Sequence, residues 1–294
     1  MNSRLFTGSG VALVTPFDES GVNTAELIRQ VERHAAAGTR AIIACGTTGE
    51  PSTMTAEEKD TVLRTCVETA AGRMQIIAGT GGNNTAEAVR FTRHAADLGV
   101  DGVLVVTPYY NKCTQRGLIA HYTAIADAVD LPVIVYNVPS RTGVNMLPET
   151  FARLSEHENI CGMKEASGNI EQVTELARLC EQDVAIYSGN DDQVLPLLAL
   201  GGQGVISVSA NIVPEKVEQM VDMYMAGDVK GCRNMQFFLN PLNKALFCEV
   251  NPIPVKTAMK LMGMNMGPLR LPLTEMEGAN LERLERVLKE YGLV

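Results

Sequence analysis

Short apolar, β-rich runs recur along the chain at 11–17, 40–45, 75–79, 102–107, 133–137, 160–164, 184–188 and 204–208. Between them lie amphipathic stretches of helical length. In 55–71 the residues Val62, Leu63, Cys66, Val67, Ala70 and Ala71 share one face at the 3.6-residue period, and after Asn169 the residues Val173, Leu176, Ala177 and Cys180 do the same. The starts of three such stretches repeat one chemistry. Asn23-Thr-Ala-Glu26, Thr55-Ala-Glu-Glu58 and Asn84-Thr-Ala-Glu87 each place a capping side chain three residues before a carboxylate. Gly38, Gly72 and Gly99 follow helical stretches, where a left-handed C-cap is wanted.

Eight alternating βα units predict a closed parallel barrel, a (β/α)8 TIM barrel of the α/β class. A doubly wound sheet would carry a glycine fingerprint after its first strand, and Thr15-Pro16-Phe17-Asp18-Glu19 has none. The strands are apolar on both faces, as buried parallel strands must be. Residues 1–212 are therefore read as the barrel. Residues 213–294, with turn signals at Pro252, Pro254 and Pro268, are read as a C-terminal helical extension that includes the last barrel helix.

Composition narrows the function. The 294 residues carry a net charge of −9, which excludes the basic footprint of a nucleic-acid binder. No signal segment is expected at Met1-Asn2-Ser3-Arg4-Leu5-Phe6, and no apolar run has the ~20 residues of a membrane helix. Seven scattered cysteines without CxxC read as reduced cytoplasmic thiols. His34, His94, His121 and His157 fall in helical stretches or just before a strand and read as surface or packing residues. No metal or cofactor is expected. Asp191 and Asp192 read as caps of a following helix rather than as ligands. The Gly201-Gly202-Gln203-Gly204 run precedes the eighth strand and reads as a turn.

Catalytic groups of such barrels gather at strand C-termini. Lys164 follows the apolar run Ile160-Cys161-Gly162-Met163 directly. A lysine buried at the barrel mouth loses charge and gains nucleophilicity, though pairing with Glu165 or snorkelling to solvent is the bland alternative. Thr47, Thr48, Tyr110 and Tyr136 fall at strand ends and can relay the protons an imine route needs. Arg141 offers a planar fork to a carboxylate.

Five motifs in order carry a family resemblance: Gly46-Thr-Thr-Gly-Glu50, Val106-Thr-Pro-Tyr-Tyr110, Tyr136-Asn-Val-Pro-Ser-Arg-Thr-Gly143, Gly162-Met-Lys-Glu-Ala166 and Asn251-Pro-Ile-Pro-Val-Lys256. Together they resemble the dihydrodipicolinate synthase family of pyruvate-dependent lyases. The resemblance implies that Lys164 bonds pyruvate as an imine and that the enamine attacks L-aspartate 4-semialdehyde. It implies proton-relay roles for Tyr136, Thr47 and Tyr110, the last reaching in from a neighbouring subunit of a homotetramer built from tight dimers. Thr48 would hold the pyruvate carboxylate and Arg141 the semialdehyde carboxylate, with Gly189 and Ile206 lining the site. Asn83, Glu87 and Tyr109 match an effector site for lysine. The segment 51–59 lacks the histidine common in lysine-inhibited members and ends in Lys59, so weak or absent inhibition is expected. The rival readings are another imine-forming lyase, such as an N-acetylneuraminate or 2-keto-3-deoxy-sugar-acid lyase, and a non-catalytic keto-acid-binding barrel.

Overall fold

A strand buried on both faces must offer apolar or small residues at every position, and the eight barrel strands do so. They are β1 (Gly8–Ala12), β2 (Ala41–Ala44), β3 (Gln75–Gly79), β4 (Gly102–Val106), β5 (Val133–Asn137), β6 (Ile160–Glu165), β7 (Ala185–Ser188) and β8 (Gly204–Ser207). In the computed structural model, which describes residues 5–180 and 184–294, they close into one parallel barrel in chain order, with β1 pairing both β2 and β8. Alternate residues divide between two cores. Ala41, Ile43, Ile77, Leu104, Ile134, Tyr136 and Ile206 fill the interior. Ile42, Ile76, Val103, Val105, Val135 and Val205 face the surrounding helices. Phe6 and Tyr187 stack at 4.3 Å inside the barrel, and the Tyr187 hydroxyl donates to the Phe6 carbonyl at 2.7 Å.

One irregularity decides where Lys164 points. Along β5 and β6, Val133 pairs Ile160, but Ile134 pairs Gly162, so Cys161 is an extra residue on β6. This bulge shifts the alternation by one. Beyond it Tyr136 pairs Lys164, and both turn to the barrel side. A regular ladder would have set Met163 opposite Tyr136 and turned Lys164 toward the helices. Gly162 is needed beside the bulge, because a Cβ there would lie 2.5 Å from the Ala185 carbonyl oxygen.

The first strand differs from its expected place. It runs over Gly8–Ala12, not 11–17, and Phe17–Asp18 forms a small antiparallel hairpin with Gly21–Val22. Residues 13–16 form the connection between β1 and that hairpin.

The helices are α1 (Thr24–Ala36), α2 (Ala56–Ala70), α3 (Thr85–Asp97), α4 (Gln115–Ala126), α5 (Pro139–Thr142), α6 (Pro148–Leu154), α7 (Ile170–Cys180), α8 (Val194–Ala199), α9 (Pro214–Met225), α10 (Val229–Leu246), α11 (Ile253–Leu261) and α12 (Gly278–Glu290). Asn23, Thr55 and Asn84 all cap as expected, but the reciprocal box with a carboxylate forms only at Thr55–Glu58. Glu26 turns to Arg29 and Gln30 instead, and Glu87 to Arg90. Gly38, Gly72 and Gly99 adopt φ of 78°, 76° and 83°.

Helices follow the last barrel strand. Glu218 of α9 accepts from the Ser9 amide at 2.8 Å and from Arg40 Nε at 2.7 Å, tying β1 to the residue that precedes β2. Lys256 of α11 donates to Glu50 at 2.7 Å with both side chains sealed from water. Its amine also lies 4.3 Å from the centre of the Phe17 ring, and the Arg270 guanidinium covers that ring at 3.8 Å. The C-terminal helices are thus anchored to the loop that carries Thr47 and Thr48.

Candidate active site

Strand ends deliver the side chains. Lys164 is 5% exposed, and its amine lies 4.3 Å from the centre of the Tyr136 ring. It forms no ion pair with Glu165. That carboxylate is instead held by the Asn137 side chain at 3.0 Å and by the Ser167 amide. Burial brings the Lys164 ammonium down from 10.5 to about 7, with buried Asp191 pulling the other way and Arg141 adding to the drop. About half of the amine is therefore neutral near pH 7. Burial pushes the Tyr136 hydroxyl up to about 12, against the hydrogen bond it shares with Thr47. A protonated phenol beside a partly neutral amine is the arrangement an imine reaction starts from.

Thr47, Tyr136 and Arg141 line a cavity of about 360 Å³ with Tyr109, Val138, Asn251 and Pro252. Lys164 is not part of that lining. It lies against the Tyr136 ring, which is. Thr48 is buried and accepts from Asn251 Nδ2 at 3.0 Å. Arg141 Nη2 donates to the Asn251 carbonyl at 3.2 Å, and among the described residues no acid pairs with it. Gly189 lies directly against the lysine: a Cβ there would be 3.2 Å from Lys164 Cε. Ile206 is buried in the barrel interior in register with Gly10.

Tyr110 is the exception. It is 90% exposed with φ 69°, and it does not line the cavity of its own chain. Asn83, Glu87 and Tyr109 do come together, around a second cavity of about 540 Å³ that Lys59 also lines. Tyr109 faces both cavities.

Residues 5–291 match the dihydrodipicolinate synthetase family. The chain belongs to that family. It is 60% identical over 291 residues to a 4-hydroxy-tetrahydrodipicolinate synthase of Thermoanaerobacter sp. (strain X514), covering 99% of this chain and 98% of the relative. The crystal structure of dihydrodipicolinate synthase from Aquifex aeolicus superposes with a TM-score of 0.96 at 47% identity, over 98% of this chain and 99% of that one. A structure described as the first monomeric dihydrodipicolinate synthase variant superposes with a TM-score of 0.97 at 42% identity, over 99% and 98% of the two chains. Membership in the dihydrodipicolinate synthetase family makes the chain an enzyme of the lyase class.

Two groups acquire places that the sequence reading did not give them. Asp191 does not cap the helix after it. Its carboxylate accepts from the Ser207 hydroxyl and from the amides of Val208 at 2.9 Å and Ser209 at 3.2 Å. It is buried and stands in electrostatic reach of Lys164. The second group is Asn251, which touches both Thr48 and Arg141. Its only signal in the sequence was the Asn251-Pro-Ile-Pro-Val-Lys256 motif. The histidines serve packing and surface contacts: His34 meets Thr39, His121 meets Thr85, His94 meets Asp60 and His157 meets Asp127.

Proposed function

We propose that Lys164 is the imine-forming residue of a 4-hydroxy-tetrahydrodipicolinate synthase. The reaction joins pyruvate to L-aspartate 4-semialdehyde and supplies diaminopimelate and lysine synthesis. The observation that carries the assignment of Lys164 is its amine, brought to about 7 by burial and held 4.3 Å from the Tyr136 ring at the end of β6.

Neutral Nζ attacks C2 of pyruvate, and the carbonyl electron pair moves to oxygen, which takes the Tyr136 proton. Loss of water gives the imine. Removal of a C3 proton gives the enamine, whose C3 attacks the aldehyde carbon. The amine of the second substrate then displaces Lys164 from C2, closing the ring and freeing the enzyme. One water is lost overall. Thr47 shares the proton traffic of Tyr136, while Thr48 receives the pyruvate carboxylate and Arg141 that of the semialdehyde. Gly189 and Ile206 shape the walls. No cofactor takes part.

Tyr110 is exposed and does not line its own cavity, which supports its serving the site of a second copy. A tight dimer, doubled to a homotetramer, is the assembly expected. Sedimentation of the purified chain tests it, and a monomer with full activity refutes the role of Tyr110. The expected compartment is the cytoplasm. No helix among the described residues is long and apolar enough to cross a membrane.

Arg141 favours this reaction over sugar-acid cleavage, because a second carboxylate needs a cation. Borohydride added with pyruvate should fix a permanent adduct on Lys164, located by peptide mass mapping. An adduct on another lysine, or none, overturns the assignment.

A further inference from the structure

Beside the Tyr136–Lys164 pair lies a second cross-strand pair that the reaction does not use. Past the Cys161 bulge, Asn137 stands opposite Glu165 at the next rung of β5 and β6. Asn137 Nδ2 donates to Glu165 Oε2 at 3.0 Å. Both side chains are buried, and among the described residues no cation pairs with Glu165. Backbone amides fix the polarity of this hydrogen bond at both ends. Asn137 Oδ1 accepts from the Met146 amide at 3.0 Å, which turns Nδ2 toward Glu165. Glu165 Oε1 accepts from the Ser167 amide, which turns Oε2 toward Asn137. Asn137 Nδ2 also donates to Asn145 Oδ1 at 2.9 Å.

A buried carboxylate without a counter-ion is costly, and a strand end that only had to pack would carry an apolar residue there. The bulge creates another need. The same two strands can pair in a bulged or a regular register, and a one-residue slip turns every side chain over. In the regular register Asn137 would stand opposite Lys164, a donor against a donor, and Glu165 would fall beyond the end of β5, parted from Asn137. The observed register alone joins the two buried polar groups, and leaving such groups unpaired is penalised enough to choose between the registers. We propose that the Asn137–Glu165 hydrogen bond locks the register of β5 and β6, and that Glu165 is a positioning residue that keeps Lys164 and Tyr136 turned into the barrel. It touches no substrate and acts through the strand that carries the amine.

The lock bears on activity through Lys164, so it rests on the imine-forming role proposed above. Its test is a swap of polarity. Glu165→Gln keeps the shape, but the Ser167 amide takes the one oxygen left, and the new Nε2 then opposes Asn137 Nδ2. Asn137→Ala removes the hydrogen bond and leaves the carboxylate charge in place. Asn137→Asp combined with Glu165→Gln runs the hydrogen bond backwards, with both backbone amides still supplied with acceptors and the Asn145 amide rotated to donate. The readout is the rate at which borohydride fixes pyruvate on Lys164, followed by peptide mass mapping, at a temperature where circular dichroism shows every variant folded. Each single variant should slow fixation about 10- to 100-fold, as a misplacement of about 1 Å implies, and the combined variant should recover most of the rate. A purely structural role would lower the urea midpoint and leave the fixation rate of the folded chain unchanged, and an effect of charge alone would spare Asn137→Ala. Either result, or a combined variant no faster than Glu165→Gln, overturns the lock alone. A parent chain with no adduct on Lys164 overturns the role of that lysine and the lock together.

Discussion

The buried pair Lys256–Glu50 gives the sharpest test of how the site loop is held. Neither side chain touches water: the lysine is 0% exposed and the glutamate 1%, at 2.7 Å. Lys256→Met keeps the length and apolar bulk of the stem but strands a carboxylate. Glu50 retains one other donor, the Arg270 amide at 3.0 Å, and little else to replace the ammonium. Breaking a buried pair on one side costs about 3–5 kcal/mol, whereas removing both charges costs far less. Lys256→Met alone should therefore lose about 4 kcal/mol, and Lys256→Met with Glu50→Gln should regain at least ~2 kcal/mol of it. The assay is urea unfolding at one fixed protein concentration, followed by far-UV circular dichroism, with stability taken from the midpoint and slope. Because Thr47 and Thr48 sit on the same loop, the single variant should also lose activity before it unfolds. A loss below ~1 kcal/mol, or a double variant no more stable than the single, would refute the reading of the pair as mutually dependent.

The acidity of Lys164 sets two pH dependences. With the amine near 7, kcat/KM for pyruvate should climb about tenfold per pH unit below that value and level off above it. A profile still climbing at pH 9 contradicts this. The folded chain holds this proton less tightly than the unfolded one, so the lysine costs stability that is regained as pH rises from about 7 toward 10.5. Lys164→Met should accordingly be more heat-stable than the parent, by a margin constant below pH about 7 and shrinking above it. Gly189→Ala would set a methyl 2.6 Å from Ala166 Cβ and 3.2 Å from Lys164 Cε, displacing the lysine; kcat should fall about 10- to 100-fold, and an unchanged kcat would show that the lysine tolerates the shift. At the second cavity, Lys59 opposes a cationic effector, and Arg90 already pairs with Glu87. Added lysine should leave initial rates nearly unchanged, and strong inhibition would refute that reading.

The strands were legible because parallel barrel strands are apolar on both faces, which leaves little room for misplacing β2–β8. β1 was displaced for a physical reason. Gly8-Ser9-Gly10 offers no apolar signal because there is no room for one: a Cβ on Gly10 would lie 2.9 Å from Ile43 Cδ1 and 3.0 Å from Phe6. Lys164, Tyr136, Thr47 and Arg141 were singled out from strand ends and motifs alone, and Thr47, Tyr136 and Arg141 line one cavity with the Lys164 amine against the Tyr136 ring. The inward turn of Lys164 was not derivable from alternation, since it depends on one unpaired residue upstream. Asp191 was misread because a carboxylate before a helix resembles a cap, whereas its partners lie on and just beyond β8. Asn251 lies outside the barrel strands, so the strand-end rule never reached it.

The extra residue at Cys161 shows how little separates a scaffold from an enzyme here. Were the ladder to run regularly through that position, the same sequence of side chains would present methionine to the mouth, while the amine would be pressed among aliphatic groups of the outer shell. The eight-stranded architecture would be preserved in outline and its chemistry abolished. In such a barrel, the aim of a reactive side chain is set by where one surplus backbone position is absorbed, with no amino acid exchanged for another.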